Sequence, residues 1–171
     1  WIMPTRVSGP IDFTLLAVWA PGAKYVNNLR YVDQLAKTIR EVLPAIEGAL
    51  VLAGDFHAPG NLTSDGSNAG RITQHHTNVA ALNELGYASA FTAARGPDTD
   101  PLSEGTYFHY RKRDHPFHLD HIFLPKAWAD GAAVTVGSFE DWVETGLSDH
   151  VPVIADFEAC EAPLLRTPGK R

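Results

Sequence analysis

The 171-residue sequence predicts one α/β domain in which helices pack against a mixed sheet. Nearly continuous apolar runs, typical of buried strands, alternate with segments whose apolar residues recur at helical spacing. The second half adds strand pairs joined by short turns, which favours antiparallel additions to the sheet. A hydrophobic share of 44% is ordinary for a globular chain and argues against general disorder.

The first half contains a hairpin, a helix and a further buried strand. A short strand near residues 5–7 turns back into the apolar run 13–20. Residues 28–43 have the apolar period of an amphipathic helix, and Pro44 follows the last turn. Residues 49–53 form the next buried strand, which leads directly into the first polar motif.

The second half begins with a Gly-, Ser- and Asn-rich loop at 60–70, whose length favours a working surface over a simple connector. Residues 78–85 are predicted to form a second helix that Gly86 ends. The remaining strand-like segments are 105–113 and 117–125 around a tip at 114–116, then 132–139 and 151–158. The domain is therefore predicted to span residues 1–160, and 161–171 to form a flexible tail.

The composition of the chain limits the kinds of molecule that it is expected to bind. A net charge of −6 and a pI of about 5.7 argue against a surface that holds long nucleic acid by its backbone. The basic stretch YRKRD at 110–114 is predicted to be a solvated hairpin tip. The single cysteine, Cys160, cannot form an internal disulfide and is compatible with a reducing compartment such as the cytoplasm. No apolar run approaches the roughly 20 residues of a membrane span.

Three strand-end segments combine carboxylates with imidazoles. They read GDFH at 54–57, LDHI at 119–122 and SDH at 148–150. Clustered carboxylates repel one another unless a cation or proton lies between them, so they predict a site for a hard cation such as Mg²⁺ or Mn²⁺. An Asp beside a His also stabilises the charged imidazole. One such pair is more often structural, but three at strand ends favour catalysis.

These motifs resemble those of the endonuclease/exonuclease/phosphatase superfamily, the metal-dependent phosphodiesterases related to DNase I. GDFH is similar to the family's Gly-Asp-x-Asn motif, LDHIF at 119–123 to its Asp-Tyr or Asp-His motif, and SDHVPV at 148–153 to its Ser-Asp-His motif. The resemblance extends over residues 13–157. It implies a DNase I-like four-layer α/β sandwich, of which this chain supplies the C-terminal part.

The resemblance also implies a role for each matched residue in a divalent-metal-dependent phosphoesterase. Asp55 would orient or deprotonate the attacking water and, with Asp149, bind Mg²⁺ or Mn²⁺. His150 would contact the scissile phosphate, and Asp120 would hold its imidazole. His57 stands where the family usually has Asn and would bind a phosphate oxygen instead. The alternative is that His57 is a partly exposed, non-catalytic residue near a loop.

Other polar residues carry weaker expectations. Arg71 follows the polar loop and is a candidate for contact with a substrate phosphate, although an exposed arginine is the commoner outcome. His75 and His76 are predicted to form a capping or surface pair before the second helix. The remaining candidates, His109, His115 and His118, match no ligand spacing.

Members of the superfamily also draw an Asn and a Glu metal ligand from a segment that precedes the strand at 13–20. The sequence contains no match to that segment, so we expect either a fragment or a sheet completed by a partner chain. The first functional hypothesis is a hydrolase acting on a phosphoester substrate, nucleic acid included. The alternative is a catalytically inactive or incomplete fragment that acts as a phosphate-binding or interaction module.

Overall fold

Strands and helices alternate along the chain. The computed structural model describes residues 2–21, 30–58 and 69–161, with residues 69–71 described by their backbone only. The strands are β1 (Ile2–Val7), β2 (Phe13–Trp19), β3 (Ala49–Asp55), β4 (Tyr87–Ser89), β5 (Tyr107–Phe108), β6 (Pro116–Phe117), β7 (Asp120–Pro125), β8 (Ala133–Val136) and β9 (Val153–Asp156). The helices are α1 (Tyr31–Glu41), α2 (Ala69–Glu84), α3 (Ala90–Arg95) and α4 (Lys126–Ala129).

A mixed five-stranded sheet in the order β1-β2-β3-β7-β4 forms the centre of the fold. The β1–β2 hairpin is antiparallel, whereas β2 and β3 are parallel because α1 crosses between them. β7 then pairs antiparallel with both β3 and β4. The predicted mixed α/β architecture is confirmed, and its register places Asp55 directly opposite Asp120.

Helices α1 and α2 cover one face of this sheet. The layer between them consists of large aliphatic and aromatic side chains that are almost fully excluded from water, among them Leu16, Leu50, Leu52, Phe123, Val32, Leu35 and Leu82. Burying each such side chain contributes about 1.5–3 kcal/mol to folding. A buried hydrogen bond from Asn78 Nδ2 to the carbonyl of Val32, 2.8 Å long, fixes α2 against α1.

Helices α3 and α4 and the antiparallel β8–β9 pair cover the opposite face. Trp128 is the largest buried side chain of this layer, with its ring edge-on to Phe13 and stacked on Phe157. Its indole N–H donates to the Cys160 carbonyl over 2.8 Å, which fixes the end of the described chain to the core. Trp128 is therefore part of the core, whereas Trp19 is 55% exposed.

Helix α2 begins at Ala69, well before the predicted start at residue 78. Before residue 79 the helix shows no clear apolar period because, apart from Ile72, the residues it buries are polar: His75 is 5% exposed and Asn78 is 2% exposed. His75 and His76 therefore lie inside the helix. The predicted capping or surface pair is wrong for His75, which is buried, while His76 is exposed.

The predicted hairpin between 105–113 and 117–125 is much shorter than expected. β5 and β6 pair over only two residues each, and the chain then enters the central sheet as β7. The basic stretch at 110–114 lies in the exposed loop between β5 and β6. Within it, Arg113 forms a 2.6 Å ion pair with Glu140 and lies over the ring of Phe139.

Two predicted segments fall mostly outside the described residues. Of the loop at 60–70, only residues 69 and 70 are described, and they already belong to α2. Of the tail at 161–171, only Glu161 is described. No helix within the described part of the chain is long and apolar enough to cross a membrane.

Gly54 allows β2 to approach the end of β3. Its φ of 137° is rare for other residues, and a Cβ at this position would overlap the carbonyl oxygen of Val18. We expect Gly54→Ala to lower the free energy of unfolding by more than about 3 kcal/mol, since strand backbone cannot move aside. Gly131→Ala is the control, because its φ is also positive but its surroundings are open. It should cost about 1 kcal/mol. Equal decreases in the free energy of unfolding for the two variants, measured by urea denaturation, would contradict this account.

Candidate active site

Three acidic and histidine-containing segments meet at one edge of the central sheet. Asp55 is the last residue of β3 and Asp120 is the first residue of β7. Because these strands run antiparallel, the end of one lies beside the beginning of the other. Residues 148–150 precede β9, form a bridge between His150 and Tyr107 of β5, and reach the same edge through the contact of His150 with Asp120.

His150 and Asp120 form the closest acid–imidazole contact across these segments. His150 Nδ1 lies 2.9 Å from Asp120 Oδ2, and both side chains are largely shielded from solvent. Burial alone would lower the pKa of His150. The hydrogen bond and negative charge of Asp120, aided by the charges of Asp55 and Asp149, outweigh burial and raise that pKa above its ordinary 6.5.

Thr106 connects the two segments that carry this pair. It is fully buried, and its hydroxyl oxygen accepts hydrogen bonds from the backbone N–H groups of Leu119 and Asp120, at 2.9 and 3.0 Å. Its carbonyl oxygen accepts the N–H of Val151 at 2.9 Å. One residue thus fixes the backbone before Asp120 and the backbone after His150.

Local hydrogen bonds shape the loop that presents His150. The hydroxyl oxygen of Ser148 accepts the backbone N–H of His150 at 3.0 Å, which closes a tight turn around Asp149. The Asp149 carbonyl accepts the N–H of Phe108 at 2.9 Å. In the Ser-Asp-His motif, the serine therefore holds the turn that carries Asp149 and His150.

Tyr107 is a site residue that the sequence analysis did not single out. Its ring centre lies 4.8 Å from that of His150. Burial raises the pKa of the Tyr107 phenol, and the negative charges of Asp149 and Asp55 raise it further. A tyrosine in a short strand gives no functional signal in the sequence, because the same residue type is common in any sheet.

Asp55 and His57 form a compact local unit. The backbone N–H of His57 donates to Asp55 Oδ1 over 2.7 Å, and the ring Nδ1 lies 2.8 Å from Asp55 Oδ2. His57 has a φ of 47°, a left-handed conformation that is strained for a residue with a side chain. The Asp55 carboxylate is therefore oriented by the residue two positions further along the chain.

The imidazole of His57 also stacks on Tyr31, the first residue of α1. The ring centres are 4.5 Å apart and the planes are inclined by 18°. Contacts with Asp55 on one side and Tyr31 on the other hold the ring at the edge of the site, where its side chain is 35% exposed. Tyr31 is a second residue that sequence reasoning missed.

The other candidates take different positions. Arg71 lies in the first turns of α2, and its side chain is outside the described residues, so its proposed phosphate contact stays a prediction. His109 Nδ1 lies 2.9 Å from the hydroxyl of Tyr107. His115 is exposed on the loop between β5 and β6, and His118 is buried. His109 is therefore the hairpin histidine in direct contact with a site residue.

The donor atoms at the sheet edge are of the type that a hard divalent cation binds. Asp55 and Asp149 supply carboxylate oxygens, the ligands that Mg²⁺ prefers, and both lie close enough to influence Tyr107 and His150 electrostatically. Across residues 2–21, 30–58 and 69–161, no three His, Cys, Asp or Glu side chains are arranged to hold a metal ion. The described residues therefore fit part of a magnesium site. Mg²⁺ commonly takes one or two carboxylates and completes its shell with water and phosphate oxygens.

No protein-family model and no curated protein matches the chain. Solved structures do. A 3′ phosphatase, NExo, from Neisseria bound to a product DNA hairpin has a TM-score of 0.64 and 22% identity, covering 92% of this chain and 65% of that one. An AP endonuclease from Archaeoglobus fulgidus has a TM-score of 0.62 and 14% identity, with the same coverage of 92% and 65%.

An endonuclease/exonuclease/phosphatase from Beutenbergia cavernae has a TM-score of 0.59 and 20% identity, covering 91% of this chain and 38% of its own. The chain thus spans less than two thirds of the length of each of these structures. Identities below a quarter establish architecture only. The chain has the DNase I-like, endonuclease/exonuclease/phosphatase fold, as the sequence motifs predict.

The charge state of His150 provides a direct test of the site geometry. In metal-free protein we expect its NMR-measured pKa to exceed 6.5. Asp120→Asn should lower that pKa, because it removes the hydrogen bond and the charge that contribute most to opposing burial. Asp98→Asn removes an exposed carboxylate away from the site and should leave the titration of His150 unchanged. An unaltered pKa in Asp120→Asn would show that the contact is not maintained in solution.

Proposed function

We propose that this chain carries the catalytic residues of a divalent-metal-dependent phosphoesterase, which hydrolyses a phosphodiester or phosphomonoester by in-line attack of water. The observation that carries the proposal is the 2.9 Å contact between His150 and Asp120 at the edge where Asp55 and Asp149 also lie. The phosphatase and endonuclease structures that share the fold support this reaction class.

His150 is suited to stabilise charge on the phosphoryl group. Its Nδ1–H donates to Asp120, so in the imidazolium form the second donor, Nε2–H, is available to a phosphate oxygen. The raised pKa of His150 favours the imidazolium form. Phosphoryl transfer mainly requires positioning of the reactants and positive charge opposite the equatorial oxygens, and a fixed imidazolium meets both requirements.

Asp55 is suited to receive or orient the attacking water. One of its oxygens accepts the backbone N–H of His57, but each carboxylate oxygen has two lone pairs, so acceptor capacity remains for water. His57 Nδ1 faces Asp55, and the opposite ring nitrogen, Nε2, is the candidate donor to a phosphate oxygen. In this proposal Asp55 binds the attacking water and His57 binds the phosphate, as the sequence predicts.

Asp149 and Asp55 would hold the divalent cation, Mg²⁺ or Mn²⁺. The cation supplies positive charge opposite the phosphoryl oxygens and lowers the pKa of a bound water. Ligands beyond these two carboxylates would be waters, substrate oxygens or residues outside the described ranges. The metal-site proposal therefore rests on ligand chemistry.

Nucleic acid is the phosphoester class that the surroundings of the site favour. From Tyr107 a series of ring contacts passes through His109 to Tyr110, which is 78% exposed. Arg111 and Lys112 follow at the surface. Aromatic rings on which bases stack, next to cations for the backbone, are typical of surfaces that bind single strands. The Neisseria structure, bound to a DNA hairpin, supports the same class.

The second candidate function is a phosphate-binding or interaction module without turnover. It is favoured by one observation: within the described residues no complete metal-ligand group is assembled. The two candidates differ in a measurable way, since a module retains phosphate binding but has no metal-dependent rate.

We expect the chain to hydrolyse bis(p-nitrophenyl) phosphate in the presence of Mg²⁺ and to lose this activity in excess EDTA. His150→Ala and Asp55→Asn should each lower kcat by about 10²–10⁴-fold, the usual range for a positioned acid or base. His115→Ala removes an exposed loop histidine and should leave kcat unchanged.

The same panel separates the two candidates. Saturable binding of inorganic phosphate without Mg²⁺-dependent turnover in the unaltered chain would favour the module and contradict the enzyme. Full activity in both His150→Ala and Asp55→Asn would show that catalysis, if present, uses other residues.

A further inference from the structure

Three buried histidines form a cluster that the proposed reaction does not use. His75 on α2, His118 just before β7 and His121 on β7 are 5%, 1% and 8% exposed. The ring centres of His75 and His121 are 4.9 Å apart, and those of His118 and His121 are 5.2 Å apart. We call these three residues the histidine cluster.

The histidine cluster lies on a different face of the sheet from the proposed active site. Successive side chains of a strand point to opposite faces, so His121 points away from its neighbour Asp120, which contacts His150. The His121 ring packs edge-on against Phe56, a member of the core beneath α1 and α2. The two groups of residues can therefore be tested separately.

The cluster lines a pocket of about 240 Å³ between α2, α3 and β7. Val79, Phe91 and Phe123 form apolar walls, and the exposed His76 lies at the rim. A water molecule occupies about 30 Å³ in the liquid, so the pocket has room for an ion and several waters.

The hydrogen bonds of the cluster leave nitrogen atoms available. His118 Nδ1 lies 2.8 Å from the Glu104 carbonyl oxygen, so Nδ1 carries the proton and Nε2 is the nitrogen with the lone pair, although the Pro101 backbone also interacts with this ring. His121 Nε2 lies 3.4 Å from the Ala58 carbonyl oxygen, which leaves Nδ1 of His121 as its free nitrogen. His75 Nδ1 is buried and has no hydrogen-bond partner. A buried polar atom without a partner is destabilising, and such an atom in a pocket wall points to a missing ligand.

All three imidazoles are neutral near pH 7. Burial, together with the charges of the neighbouring His76 and His118, lowers the pKa of His75 to about 4. Burial likewise lowers the pKa of His118, and it holds that of His121 well below 6.5. The neutral ring is the form that binds transition metals, so no proton has to be displaced from these nitrogen lone pairs.

We propose that His75, His118 and His121 bind a divalent transition-metal ion of the Zn²⁺ type, with His76 available as a further ligand at the rim. Nitrogen donors select such ions over Mg²⁺. Two imidazoles on one tetrahedral zinc ion, with Zn–N bonds of about 2.0–2.1 Å, have ring centres about 5 Å apart. The two separations in the cluster match this spacing.

Binding requires the rings to turn. The described residues contain no three side chains whose donor atoms already converge on one point. The χ2 torsion of histidine is broad, so the rings of His75 and His121 can turn their nitrogens inward with little movement of the ring centres, while His118 keeps its bond to Glu104. The His118 contact with Glu104 already has the form found in metal sites, where the ring nitrogen opposite the metal donates to a backbone carbonyl.

The test uses the whole chain without a histidine tag. Zn²⁺ affinity is measured by competition with a chromophoric chelator, and Co²⁺ reports coordination through its visible absorption. We expect one saturable site with the absorption of a nitrogen-rich, four-coordinate ion. His75→Leu and His118→Leu, which keep the apolar packing, should each weaken Zn²⁺ binding by at least about tenfold. His115→Leu, at an exposed position, should leave it unchanged.

Ring NMR signals of the unaltered chain provide a readout that does not depend on the variants folding. Zn²⁺ should shift the signals of His75, His118 and His121 together at one equivalent. Absence of a saturable site, or full affinity in both leucine variants, would overturn the proposal. So would binding that survives in His75→Leu but is lost in Asp149→Asn, because the ion would then occupy the acidic edge.

Discussion

The candidate active site depends on the buried hydroxyl of Thr106. Asp120 and His150 are 30 residues apart in the chain, and their contact requires two backbone segments to be held in register. Thr106 does this through two N–H groups before and within β7 and one N–H after His150. Losing the hydroxyl would leave two buried donors unpaired, at about 1–3 kcal/mol each, and would release the carboxylate from the imidazole it orients.

The pairing of strands in the central sheet explains why the acidic and histidine residues of the candidate site lie at one edge. The antiparallel pairing of β3 with β7 brings the end of β3 beside the start of β7, so that Asp55 and Asp120 become register partners. Residues in the middle of β3 and β7 face two hydrophobic layers and are largely closed to water. In these two central strands, Asp55 and Asp120 are partly solvated because they lie where the strands end and begin. The same sheet separates the acidic edge from the histidine cluster, because neighbouring residues of β7 point to opposite faces.

The sequence predicts those features whose signals are local. Apolar runs indicate β2 and β3, the spacing of Val32, Leu35 and Ile39 indicates α1, and the strand-end motifs indicate Asp55, Asp120 and His150. The early start of α2 was not predictable from apolar periodicity, because the helix buries polar residues. His75 packs against another imidazole, and Asn78 donates a hydrogen bond to α1. Thr106 and Tyr31 act on residues distant in sequence, so neither has a local signal. The residues named by strand-end motifs were therefore predictable, whereas those that act through long-range hydrogen bonds or ring stacking were not.

The central claim is that Asp120 acts on phosphate through His150 and not independently. A double-mutant cycle on kcat/KM for Mg²⁺-dependent hydrolysis of bis(p-nitrophenyl) phosphate tests it most directly, using Asp120→Asn, His150→Gln and the double variant. If the 2.9 Å contact couples the two residues, the double variant should be no worse than His150→Gln alone. Losses that multiply, so that the double variant shows the product of the two single effects, would contradict the claim.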